Sequence, residues 1–249
     1  MTSRIWLAER ALAKARAVGP VLGIETGTAT ASLGLVDHGQ IRAQLNRELP
    51  THCSGLPDAV AELLRAAALT IPDLAAFAVG LGPGSFTGLR VGLSYAKGLA
   101  AASGKPLVGV PSLDAIAMAG AEQGADGGII CPVLDGRHGE VYAALYRRSG
   151  DALEKLSDDR ALPAAQLDLL VADPVLFIGG PAALDATRRM ASVDGSSRAV
   201  PYGELRGVMV AVAGALALSQ GGYQASAALE PRYVGSREIP INSALENRR

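Results

Sequence analysis

Residues 80–93 read GLGPGSFTGLRVGL, and the fold turns on how this stretch is read. Gly80, Gly82, Gly84, Gly88 and Gly92 crowd into it, with Pro83 between two of them. Glycine has no Cβ, so such a run lets a backbone pass close to something. The apolar run Leu74 to Gly80 before it reads as a strand, and Phe86 to Ala102 after it reads as a helix. A strand–loop–helix junction is a place where helix amides can face an anion. No Gly-Lys-Ser/Thr follows, so this is not a Walker loop, and Pro83 and Gly84 break the dinucleotide fingerprint. Two readings stand. Gly82, Gly84 and Ser85 form a turn that touches a ligand, or they form a tight turn that lets the next helix pack closely.

The helix itself narrows the choice. Gly88, Gly92 and Gly98 lie inside it, each costing about 1 kcal/mol relative to alanine, and close packing is the usual compensation. Arg90 and Lys97 share a narrow face with Ser94, and nearly everything else is apolar or small. One sheet cannot cover so much apolar surface, so a second cover is implied. The other lobe, another helix of the chain, or a partner protein would serve.

Outward from this stretch the pattern is regular. Val21 to Glu25, Ala31 to Val36 and Ile41 to Arg47 read as an antiparallel meander. Leu56, Val60, Leu63, Leu64 and Ala67 share one face of a helix over 57–69. Leu107 to Val110 reads as a strand, and Pro111 to Glu122 as a helix that Ser112 can cap. Ile129 to Leu134 and Val141 to Arg147 read as strands around a D-G-R-H-G-E turn. Helices are expected over 163–172, 181–190 and 204–221, with a strand at Val175 to Ile178. Strands alternating with helices after a meander define α/β lobes. The expected division is 21–111 plus 204–224 for the first lobe, 112–203 for a smaller second lobe, and a tail over 225–249.

The chain has 249 residues, enough for such a pair of lobes. Apolar residues at 49% and charged residues at 19% argue against disorder. A net charge of −1 excludes a protein that is basic as a whole. Cys53 and Cys131 have no metal-ligand spacing and read as reduced thiols, which fits a cytoplasmic protein. No stretch is long and apolar enough for a membrane span. Residues 1–20 stand apart, with Arg4, Arg10, Lys14 and Arg16 against Glu9. They have the composition of a transit peptide, but their shortness and few serines favour the plainer reading, a helical or disordered extension that the fold does not need.

Candidate chemistry is sparse. In IETGTATASLGLV, residues 24–36, an acid ends a strand and a Thr-Gly-Thr turn follows. Glu25 could orient a water or metal, and the turn Glu25–Thr26–Gly27–Thr28 could face a phosphate. Taken alone, the stretch reads more readily as an ordinary hairpin with an acid at its edge. His38, His52 and His138 include no helical zinc pair, so no metal site is expected. Positions 83–87 read PGSFT, not a nucleophile elbow, and no local nucleophile–base pair can be assembled.

Five stretches occur together: IETGTATASLGL, GLGPGSFTGLRVGL, VGVPSLD, DGRHGEVY and LEPRYV. The set resembles the bacterial TsaB (YeaZ) family across about residues 21–235. That resemblance implies an actin-like, Hsp70-like (ASKHA) two-lobe α/β fold, each lobe a mixed sheet with flanking helices. It implies a cytoplasmic, non-catalytic subunit in making N6-threonylcarbamoyladenosine at position 37 of tRNA. Family members pair with the catalytic paralogue TsaD through first-lobe helices, are joined by the ATPase TsaE, and meet tRNA through the complex. By resemblance, Phe86, Leu89, Arg90, Leu93, Ala96, Lys97 and Leu99 are contact candidates, beside Leu56, Val60, Leu63, Leu64 and Ala67. Two such helices from each subunit would make a four-helix interface, and the same helices could pair with themselves as a homodimer. No cofactor is expected in the isolated chain, and ATP with magnesium only at the level of the complex.

Departures from the family pattern exist. Glu25 stands where aspartate is usual, the His52 segment is one residue short, and VGSR follows Tyr233 where a leucine–arginine pair is typical. A stand-alone actin-fold ATPase or kinase using Glu25 and the Gly27–Thr28 turn is the second reading. A glycoprotease is the third.

Overall fold

Every residue from Val21 to Glu25 is buried, so this strand must be covered on both faces. The computed structural model shows how; it describes residues 4–6, 8–48, 55–136, 138–170, 174–191, 197–202, 206–222 and 226–235. Along the chain come β1 (Arg4–Trp6), α1 (Ala8–Lys14), β2 (Val21–Glu25), β3 (Thr30–Asp37), β4 (Gln40–Glu48) and α2 (Leu56–Ala66). Next are β5 (Ala76–Gly80), α3 (Phe86–Ser103), β6 (Leu107–Val110) and α4 (Ser112–Gly120). They are followed by β7 (Ile129–Asp135), β8 (Glu140–Ala143), β9 (Tyr146–Ser149), β10 (Ala152–Lys155) and β11 (Arg160–Pro163). Last come β12 (Val175–Gly179), α5 (Pro181–Ala191), β13 (Arg198–Val200) and α6 (Arg206–Ser219).

The first sheet has the order β4-β3-β2-β5-β6. Its meander is antiparallel, whereas β5 and β6 run parallel to β2. The period of two sorts the side chains of its strands. Leu22, Ile24, Leu33, Leu35, Phe77 and Val79 join the inner faces of α2 and α3 in one apolar cluster. Val21, Val36, Ala76 and Ala78 join α6 and α4 in another. Gly23 and Gly34 let α6 lie directly on the sheet, since a Cβ on Gly23 would sit 2.5 Å from the Ala211 nitrogen. The second sheet has the order β1-β10-β9-β7-β12-β13, with β8 pairing both β7 and β11. These are two mixed sheets with flanking helices, joined by the packing of α4 on α6.

Several elements differ from their sequence reading. The expected strand over 141–147 is two strands, because the C-terminal half of β7 pairs β8 and its N-terminal residues pair β9. The helix expected over 163–172 is a 3-10 segment, Ala164–Leu170. Strands β10 and β11 were not expected; each is four residues long and carries charge, so neither gives a clear period. Ser112 does not cap α4: its Oγ makes no cap bond and is spent elsewhere. His52 and Cys53, Arg137, and the tail beyond Gly235 lie outside the described residues.

The described part of the expected N-terminal extension, residues 4–6 and 8–20, packs on the rest of the chain. β1 adds to β10 in the second sheet, with Arg4 opposite Glu154 and Trp6 opposite Ala152. Ala11 and Ala15 are fully buried in the cluster that includes α6. The β3–β4 turn closes on the same segment, as the His38 amide donates to the Val18 carbonyl at 3.0 Å. A charge at position 11 would therefore be buried without a partner. Ala11→Glu is expected to lose about 3 kcal/mol of stability, read as a lower urea midpoint at unchanged m-value. An unaltered midpoint would mean the segment does not dock.

Candidate functional site

The glycine stretch closes on its own chain. Ser85 caps α3, its Oγ accepting from the Gly88 amide at 3.3 Å. The Ser85 amide donates to the Gly27 carbonyl at 2.7 Å. A Cβ on Gly84 would meet that same oxygen at 2.5 Å, and Gly84 has φ +157°. One turn further, a Cβ on Gly88 would run into the Thr26 carbonyl oxygen, and one on Gly92 into the Thr26 hydroxyl. Helix α3 thus lies against the β2–β3 turn at a distance only glycine permits. Gly98 faces solvent, with nothing within 4 Å of an added Cβ.

The four residues read as a phosphate turn are engaged in this junction. Glu25 is 3% exposed. Its Oε1 accepts from the Gly27 amide at 2.7 Å and its Oε2 from the Ser112 hydroxyl at 2.6 Å. Gly80 leaves room for this carboxylate, because a Cβ there would lie 2.6 Å from the Glu25 Cδ. Ser112 Oγ also accepts from the Gly82 amide at 3.1 Å. Thr26 Oγ1 donates to the Gly88 carbonyl at 2.8 Å. Thr28 Oγ1 donates to the Thr30 carbonyl at 2.9 Å and accepts from Arg206 Nη1 at 2.6 Å. The arrangement is a buried polar clip joining β2, the glycine loop and α4. It does not fit a phosphate at Gly27, whose amide is already donated to the longer glutamate side chain. Among the described residues no three His, Cys, Asp or Glu side chains cluster as metal ligands.

Most of the partner-contact candidates are in the chain's own core. Leu56, Val60, Leu63 and Leu64 of α2, and Leu89, Leu93 and Ala96 of α3, are buried. In the chain by itself these side chains are covered by its own lobe. Each lies on the helix face turned to the sheet, so the lobe itself supplies the cover that the sequence left unassigned. Ala67, Lys97 and Leu99 are half-buried, while Phe86 and Arg90 are exposed. The outward face of α3 carries Thr87, Arg90, Ser94, Gly98, Ala101 and Ala102. The Tyr95 hydroxyl is raised above its ordinary pKa, first by burial and then by the charge of Asp58, which places α2 alongside α3.

Sequence reasoning missed the other half of this surface. Residues 226–235 strap across the glycine loop: the Arg232 amide donates to the Leu81 carbonyl at 2.7 Å, and Leu229 is buried in the α2–α3 core. Tyr233 then stands beside Phe86, ring centroids 5.0 Å apart, and its hydroxyl accepts from Arg90 Nε at 2.8 Å. The signal was present in the stretches GSFTGLR and LEPRYV, but nothing local ties two segments 143 residues apart.

Known proteins place this architecture. The YeaZ structure from Pseudomonas aeruginosa superposes with a TM-score of 0.65 at 24% identity, covering 87% of this chain and 100% of that one. An activator of 2-hydroxyisocaproyl-CoA dehydratase from Clostridium difficile, with bound ADPNP, superposes at 0.52 and 11% identity, covering 81% and 96%. The fold is the actin-like two-lobe α/β class. A family model described as TsaD, tRNA N6-adenosine threonylcarbamoyltransferase, matches residues 49–215. The tRNA threonylcarbamoyladenosine biosynthesis protein TsaB of Bacillus subtilis is 33% identical over 163 residues, 64% of this chain and 70% of that protein. Its Escherichia coli namesake is 33% identical over 133 residues, 53% of this chain and 57% of that protein, so the match spans under two thirds of the latter. The chain belongs to the TsaB (YeaZ) family.

Two paired substitutions test the junction. Gly88→Ala and Gly98→Ala make the same change in the same helix. Gly98→Ala is expected to stabilise by up to about 1 kcal/mol, as helix propensity dictates. Gly88→Ala is expected to destabilise by about 2 kcal/mol or more, because backbone must move. Thermal or urea melts showing the two equivalent would remove the close contact. Leu93→Arg, at a site 5% exposed, is expected to unfold the protein and not merely to weaken an interface. A folded, monomeric Leu93→Arg protein by circular dichroism and sedimentation would return this side chain to the surface.

Proposed function

We propose that this chain is a non-catalytic subunit in the biosynthesis of N6-threonylcarbamoyladenosine in tRNA, acting by binding and activating TsaD. The observation that carries the reading is the 33% identity to a TsaB protein over 70% of its length. The structure bears on how such a subunit would work. Because the apolar stripes of α2 and α3 are used inside the lobe, the partner must be met by their outward faces. The small residues Ser94, Gly98, Ala101 and Ala102 would let a partner helix approach closely, and a standard interface buries about 1,600 Å² in total. TsaE and tRNA join at the level of the assembled complex in this reading, as do ATP and magnesium, in the cytoplasm. Self-pairing of the same faces in the absence of TsaD is consistent with a two-fold patch.

The stand-alone ATPase or kinase reading is less well supported, since its turn would need the Gly27 amide that Glu25 holds. Reconstitution separates the two. Synthase, TsaD, TsaE, ATP, threonine, bicarbonate and tRNA are combined with and without this protein. Modified adenosine, quantified by mass spectrometry of digested tRNA, is expected to fall at least about tenfold on omission. Undiminished product without it would overturn the proposal.

A further inference from the structure

The aromatic pair at the start of α3 is out of place on an ordinary surface. Phe86 is 53% exposed and Tyr233 is 49% exposed, and they are held side by side. Arg90 braces both rings. Its guanidinium carbon sits 3.8 Å from the Phe86 ring centroid, and its Nε is tied to the Tyr233 hydroxyl at 2.8 Å. The plane of the guanidinium is therefore fixed, and its remaining two nitrogens find no acceptor among the described residues. Arginine fixed in this way presents a rigid fork of donors that matches a carboxylate with two bonds. Beside it opens a recess of about 400 Å³ with Ser94 and Lys97 on one wall and Leu229, Glu230 and Pro231 on the other.

We infer that this recess is the anchor point of the partner interface, and that its occupant is an aspartate or glutamate side chain on a helix of the partner subunit. The inference rests on the reading given under Proposed function and adds the chemistry of its contact. Three features select a carboxylate on a protein. The Arg90 guanidinium borders the recess, while the neighbouring Lys97 ammonium donates to the Ala227 carbonyl at 3.4 Å. Leu93 and Leu229 also line it, and their apolar carbons suit the methylene stem of an acidic side chain. Further along the same helix the exposed small residues Gly98, Ala101 and Ala102 leave room for a partner helix to lie close. Exposed Phe, Tyr and Arg held rigid before binding are also the usual composition of a protein hot spot.

Affinity of the full-length chain for purified TsaD from the same genome tests this, using calorimetry on wild type, Arg90→Lys and Tyr233→Phe. Arg90→Lys keeps the charge and removes the fork; a loss of about tenfold or more in affinity is expected. Tyr233→Phe removes only the tether; a loss of about threefold is expected, mainly through faster dissociation. Unchanged melting temperatures confirm that both variants fold. Wild-type affinity in both variants would overturn the inference while leaving the proposed function standing. Failure of the wild-type chain to bind TsaD at all would overturn both. Gel shifts with tRNA and sedimentation of the free chain complete the test. A variant that loses only tRNA binding assigns the recess to RNA, one that loses only self-association assigns it to a second copy, and either result overturns the carboxylate assignment.

Discussion

The close approach of α3 to the turn between β2 and β3 organises this molecule. Main chain meets main chain there: the Ser85 amide reaches the Gly27 carbonyl, and Gly88 faces the Thr26 carbonyl with no side chain between. Because those contacts set the height of α3 above the sheet, they set what its apolar stripe can reach. Leu93 and Ala96 meet the core already formed by Leu22, Ile24, Phe77 and Val79. The same contacts turn Arg90, Ser94 and Gly98 outward. A side chain at Gly88 or Gly92 would lift the helix, opening the core and tilting the outer face together. Three glycines weaken the helix in isolation by about 3 kcal/mol in sum, so the packing must return more than that. Each fully buried leucine contributes about 1.5–3 kcal/mol, so Leu89 and Leu93 alone are of the required order.

The buried polar clip beneath this contact explains the glutamate at position 25. A carboxylate out of water needs donors. Here the Gly27 amide and the Ser112 hydroxyl supply them, and Gly80 leaves the space. The extra methylene, relative to the aspartate usual in the family, is accommodated inward, across the end of β5 toward α4. A residue that the sequence suggested for phosphate or metal chemistry thereby becomes the pin between the first sheet, the glycine loop and the helix that joins the lobes. The glycine run therefore serves the chain's own neighbours, and surface for a partner is what the closed lobe leaves outside.

Much of the fold was legible because its signals are local. Strands β2, β3, β5, β6 and β12 are short apolar runs, the helix over 57–69 carries a clear period of 3.6, those over 86–102 and 204–221 are long apolar stretches, and their bounds moved only by a few residues. The second lobe was less legible. Its strands β8 to β11 are four residues long, and the pairing of β7 with two different partners has no sequence signature. The docking of residues 8–17 was invisible for a related reason: alanines such as Ala11 and Ala15 read as weakly amphipathic until the helix they face is known. The site divides the same way. Periodicity correctly grouped Leu56, Val60, Leu63 and Leu64 on one face of a helix, but it cannot say whether a sheet or another protein covers that face. Ser112 and Tyr233 acquire their roles only through contacts 87 and 143 residues away in sequence.

The most direct test of this account compares two adjacent positions on α3. Leu93→Cys and Ser94→Cys are made separately in the full-length chain and exposed to a small thiol reagent, with labelling resolved from Cys53 and Cys131 by peptide mass spectrometry. If the glycine contacts seat α3 on its own sheet, the thiol introduced by Ser94→Cys reacts at nearly the rate of a free thiol. The thiol introduced by Leu93→Cys then reacts only as fast as the protein unfolds. Rapid labelling of the Leu93→Cys variant in a folded, isolated chain would show that the stripe faces outward and would contradict the account at its root.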